Sequence, residues 1–268
     1  MSDFGSRFRL TLITDDAGLA AEADRAGVDR IGVDLETLGK AERQAGHDTR
    51  LSRHSLADLA RIAGTLRHAR AFVRINPPHA GTAGEIEAVL DAGARTIMLP
   101  FFHTVAEAEA FLAQVAGRAE TMLLVETPQA LAAVPQLARL AGADEIMAGL
   151  NDLRLSLGVA SHFDVLTSAV LDTLAEQARA AGLKVSAGGV ARPGQHDLPA
   201  DADLVLAQYP RLDATGAWLS RSFFKAWPRG LTLADGVAQV RQGLTRWSLA
   251  GETALETARQ QLRARLTS

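Results

Sequence analysis

Eight short apolar runs, each followed by a small-residue amphipathic stretch, predict a single-domain (β/α)8 TIM barrel with extra C-terminal helices. Two further observations support it. The same phrase recurs at the ends of four helical stretches, in EADRAGVDRIGV, VLDAGARTIML, RLAGADEIMAG and ARAAGLKVSAG. In each, a Gly suited to a left-handed helix end precedes the next strand by a normal αβ loop length. The runs are also apolar on both faces, as strands covered on both sides must be. An open dinucleotide-binding sheet fits less well, because LITDDAGLA follows the first strand in place of G-x-G-x-x-G. At 268 residues the chain would average two domains, yet α/β barrels run to about 250 residues as one.

The strands are expected at residues 8–14, 30–34, 71–75, 96–100, 122–126, 145–149, 184–188 and 217–220. Between them, helices are expected at 17–26, 55–69, 83–92, 105–118, 128–141, 163–181 and 200–211. The segment 204–209 (LVLAQY) has the content of a ninth strand, but Pro199 suits a helix first turn and favours a helix there. Beyond Pro228, residues 232–247 and 253–266 form two polar amphipathic helices. The expected division is a catalytic barrel over 1–228 and a helical extension over 229–268, packing on the barrel or on a neighbouring subunit.

Composition narrows the function. Hydrophobic residues make up 47% and charged residues 22%, enough for a full core, and the net charge of −3 offers no case for nucleic acid or an anionic membrane. With no Cys, disulfides, thiolate nucleophiles and thiolate metal sites are excluded. MSDFGSRFRLTL lacks the apolar run of a signal peptide, so the expectation is a soluble cytoplasmic protein. There is no G-x-S-x-G and no phosphate-binding loop of the Walker type.

In a parallel barrel the chemistry sits at the strand C-terminal ends. The polar residues there are Asp34 and Glu36, Arg74 and Asn76, Glu126, Asn151 and Asp152, and Ser220 and Arg221. Glu126 ends an apolar strand and needs a cation partner, or else serves the dipole of the helix that follows. Asp152 is its counterpart one β/α unit on, with a turn or N-cap role as the alternative. Two carboxylates on neighbouring strand ends suit Mg²⁺ or Mn²⁺. Period-two alternation aims Arg74 into the barrel, towards a substrate carboxylate or enolate oxygen, or towards a barrel carboxylate. Asp34 and Glu36 are candidate proton acceptors, or a structural pair holding Arg74. The turn GGVARPG, residues 188–194, offers a weak anion cradle, and His47, His54 and His103 fall in active-face loops without metal spacing.

These residues resemble the HpcH/HpaI aldolase and citrate lyase β-subunit family. LLVETPQAL and IMAGLNDLRLSLG resemble the family's Glu and Asp motifs, FVRINPP its strand-three Arg motif, GARTIMLPFFHTVAEAEAF its strand-four segment, and RIGVDLE its acidic strand-two end. The resemblance covers residues 28–225 and implies a metal-dependent carbon–carbon lyase or aldolase. It implies Glu126 and Asp152 as ligands of Mg²⁺ or Mn²⁺, and Arg74 as the group that stabilises a pyruvate-like enolate. Gly149 and Asn151 would donate to the substrate carboxylate. The implied partners are a 2-oxo acid and an aldehyde or thioester, in a homo-oligomer (trimer or hexamer). One position departs from the pattern: Thr37 stands where the pyruvate aldolases have a His and the lyases a second acid. The proton carrier is then open among Glu36, Asp34, Arg43 and His54. A citryl- or malyl-CoA type of lyase and a non-catalytic 2-oxo acid binding barrel remain alternatives. The insert over residues 39–53 and Arg50, Arg53 and Arg221 suggest a subgroup with its own second substrate.

Overall fold

The structure is a computed structural model that describes residues 4–39, 53–195 and 198–266. Arg43, His47, Arg50 and most of the insert lie outside the described residues. The strands are β1 (Arg9–Ile13), β2 (Arg30–Asp34), β3 (Arg70–Arg74), β4 (Thr96–Leu99), β5 (Glu120–Val125), β6 (Glu145–Ala148), β7 (Lys184–Val190) and β8 (Gly216–Leu219). All pair in parallel, in sequence order, and β8 closes on β1. Each expected strand is present, shifted by at most a few residues.

The helices, in chain order, are α1 (Phe4–Arg7), α2 (Ala17–Arg25), α3 (Leu56–Thr65), α4 (Thr82–Asp91), α5 (Val105–Val115), α6 (Pro128–Ala132), α7 (Val134–Leu137), α8 (Leu150–Leu157), α9 (His162–Leu166), α10 (Ala169–Ala180), α11 (Ala202–Leu212), α12 (Leu233–Ser248) and α13 (Glu252–Leu266). Capping chemistry sets several starts. Ser55 and Thr104 form reciprocal boxes with Asp58 and Glu107. The glycines of the recurring phrase, Gly27, Gly93, Gly142 and Gly182, all have φ between 83° and 99°, which a side chain would resist.

Four expectations change. The stretch 128–141 is two short helices, because Pro135 has no N–H for a continuous ladder. The stretch 163–181 breaks where Ser168 accepts from Leu171 N and starts a new helix. The helix expected from residue 200 begins at Ala202, because Asp201 caps it through Asp203 N. This leaves Leu198–Pro199–Ala200 irregular. Finally α8, over a segment for which no helix was expected, places Asp152 in its first turn.

Inside the barrel, side chains stack in three levels. At the floor Arg30 donates to Glu145 at 2.5 Å and lies 3.1 Å from Glu120, which also meets Lys184 at 2.8 Å and Arg9. Burial opposes the charge on Glu120, but Arg30, Lys184 and Arg9 outweigh it and hold this carboxyl well below the usual range. Above lies an apolar plug of Phe72, Met98, Met122, Leu124 and Met147, flanked by Ile13 and Trp218. With floor and middle filled by side chains, the cavity described below opens at the top, at the strand C-terminal ends. Helices α12 and α13 both pack on α11, and Arg241 of α12 donates to the carbonyls of Gly5, Phe8 and Gly27 beneath the barrel. No described helix is long and apolar enough to cross a membrane.

Candidate active site

The top of the barrel opens into a cavity of about 510 Å³ lined by Asp34, Arg74, Glu126, Gly149, Asn151 and Asp152. The inward parity of β5 continues past Leu124 to Glu126, which is 4% exposed. Its backbone is held by Thr127, whose hydroxyl donates to Phe102 O at 2.8 Å and accepts from Ala130 N at 3.1 Å. One carboxylate oxygen, Oε1, accepts the Phe101 N–H at 3.0 Å. Phe101 has φ 45°, a left-handed conformation that costs a bulky residue energy and that aims this N–H at Glu126. Burial pushes the Glu126 carboxyl up to about 8, the charge of Asp152 adds to the shift, and Arg74 opposes it.

Gly149 is where β6 passes the same carboxylate. A Cβ there would lie 2.5 Å from Glu126 Cβ and 2.7 Å from its Oε2, closer than real contacts allow. The Gly149 N–H donates to Val125 O at 2.9 Å. This corrects the expected donor role: the amide is committed to the sheet, and the position supplies room instead. Gly149→Ala should therefore displace Glu126, lowering turnover by roughly a hundredfold and stability by ~1–3 kcal/mol. Kinetics and thermal melts of the variant check both; unchanged kinetics would mean that the carboxylate needs no such space. Asn151 is exposed at the cavity, and the first amides of α8 have no partner within the helix.

Arg74 points inward from β3 and is gripped by Asp34 of β2, with Nε to Oδ1 at 2.9 Å and Nη2 to Oδ2 at 2.7 Å. Glu36, 2% exposed, stands 3.4 Å from the same Nε. Burial opposes the Arg74 charge, yet Asp34, Glu36 and Glu126 more than offset it, so the guanidinium stays charged. Of the two readings of Asp34 and Glu36, the geometry has both on Arg74, and the bidentate bond fixes the plane of the fork. The Nη1 edge takes no described partner.

Thr37 lies exposed, with its N–H and hydroxyl both donating to Asn76 Oδ1. Asn76 also donates to Glu85, so it ties the loops after β2 and β3 together. His54 reaches the end of β2, where its Nδ1 accepts the Asp34 N–H at 3.0 Å. His103 is exposed beside Gln129 and does not line the cavity. In the Gly-rich turn after β7, Arg192 is 2% exposed and donates to Phe223 O and Lys225 O. It anchors the segment after β8 there, while Gly188 and Gly189 line the cavity together with Ser220 and Arg221. Sequence reasoning missed His162 and Phe163, at the start of α9, and Leu198, in the irregular segment before α11, which complete the far wall.

A family model described as HpcH/HpaI aldolase/citrate lyase matches residues 7–191. The chain belongs to the HpcH/HpaI aldolase/citrate lyase family. A hydroxypyruvate/pyruvate aldolase from Rhizorhabdus wittichii is 30% identical over 167 residues, covering 49% of this chain and 64% of that protein. The chain thus spans less than two thirds of that curated relative. A family structure from Burkholderia cenocepacia superposes with a TM-score of 0.63 at 16% identity, covering 80% of this chain and 88% of that one. The protein CitE from Mycobacterium tuberculosis, solved in complex with magnesium and acetate, gives 0.58 at 18% identity, covering 96% and 99%. At these identities the two structures bear on the fold alone.

Proposed function

We propose that this member of the family is a divalent-metal-dependent carbon–carbon lyase of the aldolase type, acting through the enolate of a pyruvate-like 2-oxo acid. The observation that carries the proposal is the meeting of two carboxyl groups at the cavity. Glu126 and Asp152 both line it, and the charge of Asp152 adds to the burial that raises the Glu126 carboxyl. A hard cation shared by the two relieves that repulsion.

The donors fit that cation. Glu126 and Asp152 offer oxygen ligands, and Glu126 Oε2 faces the space that Gly149 keeps clear. A Mg²⁺ or Mn²⁺ held by these two would be completed by water and substrate oxygens. When bound, the ion would supply Lewis-acid polarisation of the 2-oxo acid. The remaining work falls to the chain itself. Arg74, oriented by Asp34, presents its Nη1 edge where negative charge develops on the enolate oxygen. The first amides of α8 face the substrate carboxylate. The apolar plug beneath keeps water from the carbanion side.

Exchange of the pyruvate methyl protons in D₂O, followed by proton NMR, tests this without needing the second substrate. Exchange is expected with Mn²⁺ or Mg²⁺, and its loss on adding EDTA. Absence of exchange in protein shown to hold metal would defeat the proposal. Offering acetyl-CoA in place of an aldehyde separates it from thioester chemistry. The homo-oligomeric state proposed with it is open to light scattering.

A further inference from the structure

The cavity is far larger than a three-carbon acid requires, and its two sides differ in chemistry. On one side stand Arg74 of β3 and Glu126, which follows β5. In a closed barrel of eight strands in sequence order, β7 lies across the mouth from β3. Leu150, beside Asn151 and Asp152 at the start of α8, borders the opposite wall, which the segment after β7 and the starts of α9 and α11 supply: Phe163, Leu198, Pro199, Ala202 and Val205. None of these side chains carries a polar atom. Leu150 is seated by Gly188, where a Cβ would lie 2.5 Å from its Cδ1. His162 joins this wall, and burial, helped by the nearby Arg154, pushes its imidazole below its usual range. The cation on this side, Arg221, is exposed at the rim with Ser222.

We infer that this wall receives the second reactant, and that the reactant is an aldehyde with a hydrocarbon body, an alkyl chain or an aromatic ring. The inference rests on the aldolase reading above and adds the substrate class. In the addition direction, the enolate methylene carbon of pyruvate bonds to the aldehyde carbonyl carbon. The carbonyl π pair moves to the aldehyde oxygen, which takes a proton; cleavage is the reverse. The enolate lies between Arg74 and the start of α8, so the substituent on the aldehyde projects away from them, across the mouth. There it meets Leu198, Val205 and Phe163, where each methylene removed from water favours binding.

The test measures kcat/KM with pyruvate and Mn²⁺ for linear aldehydes from acetaldehyde to hexanal, with benzaldehyde, glycolaldehyde and succinic semialdehyde alongside. The expected result is a rise of roughly threefold to fourfold per methylene over the first members, with glycolaldehyde and succinic semialdehyde below their apolar counterparts. Ala202→Phe should flatten the series by filling the pocket. Phe163→Ala should shift the optimum towards bulkier aldehydes, which keeps the test alive if the first variant does not fold. A flat series in the wild type, or a preference for the carboxylated aldehyde led by Arg221, overturns the inference while pyruvate exchange still supports the aldolase reading. Loss of pyruvate exchange in the metal-loaded wild type overturns both.

Discussion

Glu126→Gln should remove turnover almost entirely, on the order of a thousandfold or more, because an amide neither binds a hard cation well nor balances its charge. Asp152→Asn should behave alike. Steady-state kinetics with added Mn²⁺, together with calorimetric metal titration, provide the check, and full activity in either variant would sink the metal assignment. The same variant has a second, independent signature. In the metal-free folded protein Glu126 holds its proton up to about 8, against an ordinary value of 4.5. The folded state thus binds the proton more tightly than the unfolded state. The stability this contributes is fully present below the ordinary value and is lost as pH rises towards 8. Gln is neutral throughout and has no such dependence. The melting temperature of metal-free Glu126→Gln should accordingly gain on the wild type as pH rises through that interval. Metal binding by the wild type should release a proton below about 8, because the carboxylate form is the ligand. A wild type and variant with parallel pH profiles would mean that Glu126 is ionised without metal.

Arg74→Lys should lose roughly a hundredfold to a thousandfold in kcat/KM while the barrel survives. The positive charge is kept, but the geometry is not. Arg74 uses Nε and Nη2 on Asp34, and this grip aims the free edge of the fork into the cavity. An ammonium has no plane to orient and cannot hold Asp34 bidentately while reaching substrate. Asp34→Asn should give a smaller loss of the same kind, because one bond of the pair persists. Kinetics of the two variants, with circular dichroism to verify folding, decide the point. A Lys variant with near-normal turnover would show that only charge is needed at this position.

Much of the site was legible because strand-end position and side-chain parity are local properties. The inward series that ends at Arg74, and the one that ends at Glu126, both follow from period-two alternation. Asp152 was legible as a neighbour of Glu126 through strand order, but its place in the first turn of α8 was not, because LNDLRLSLG carries no clear cap. Gly149 was assigned a donor role that its sheet hydrogen bond forecloses. The floor network escaped notice for a different reason. Arg30, Glu120 and Glu145 look like ordinary charges at strand starts, and Arg30 finds its two partners 90 and 115 positions away. The far wall is similarly hidden: Leu198 lies in an irregular segment and Phe163 opens the short helix α9, and their places in space depend on where these helices cap.

By itself, the sequence determined the barrel and the end of it that carries the chemistry. Those follow from apolar strands, helix-ending glycines and alternation, each a short-range consequence of backbone hydrogen bonding and side-chain direction. Tertiary structure alone decided what the charges do. Asp34 becomes the grip on Arg74, burial pushes the Glu126 carboxyl up, and Gly149 becomes the gap that admits a carboxylate. The physical reason is that ionisation and fit depend on burial and on neighbours brought in by distant strands, which no local pattern encodes.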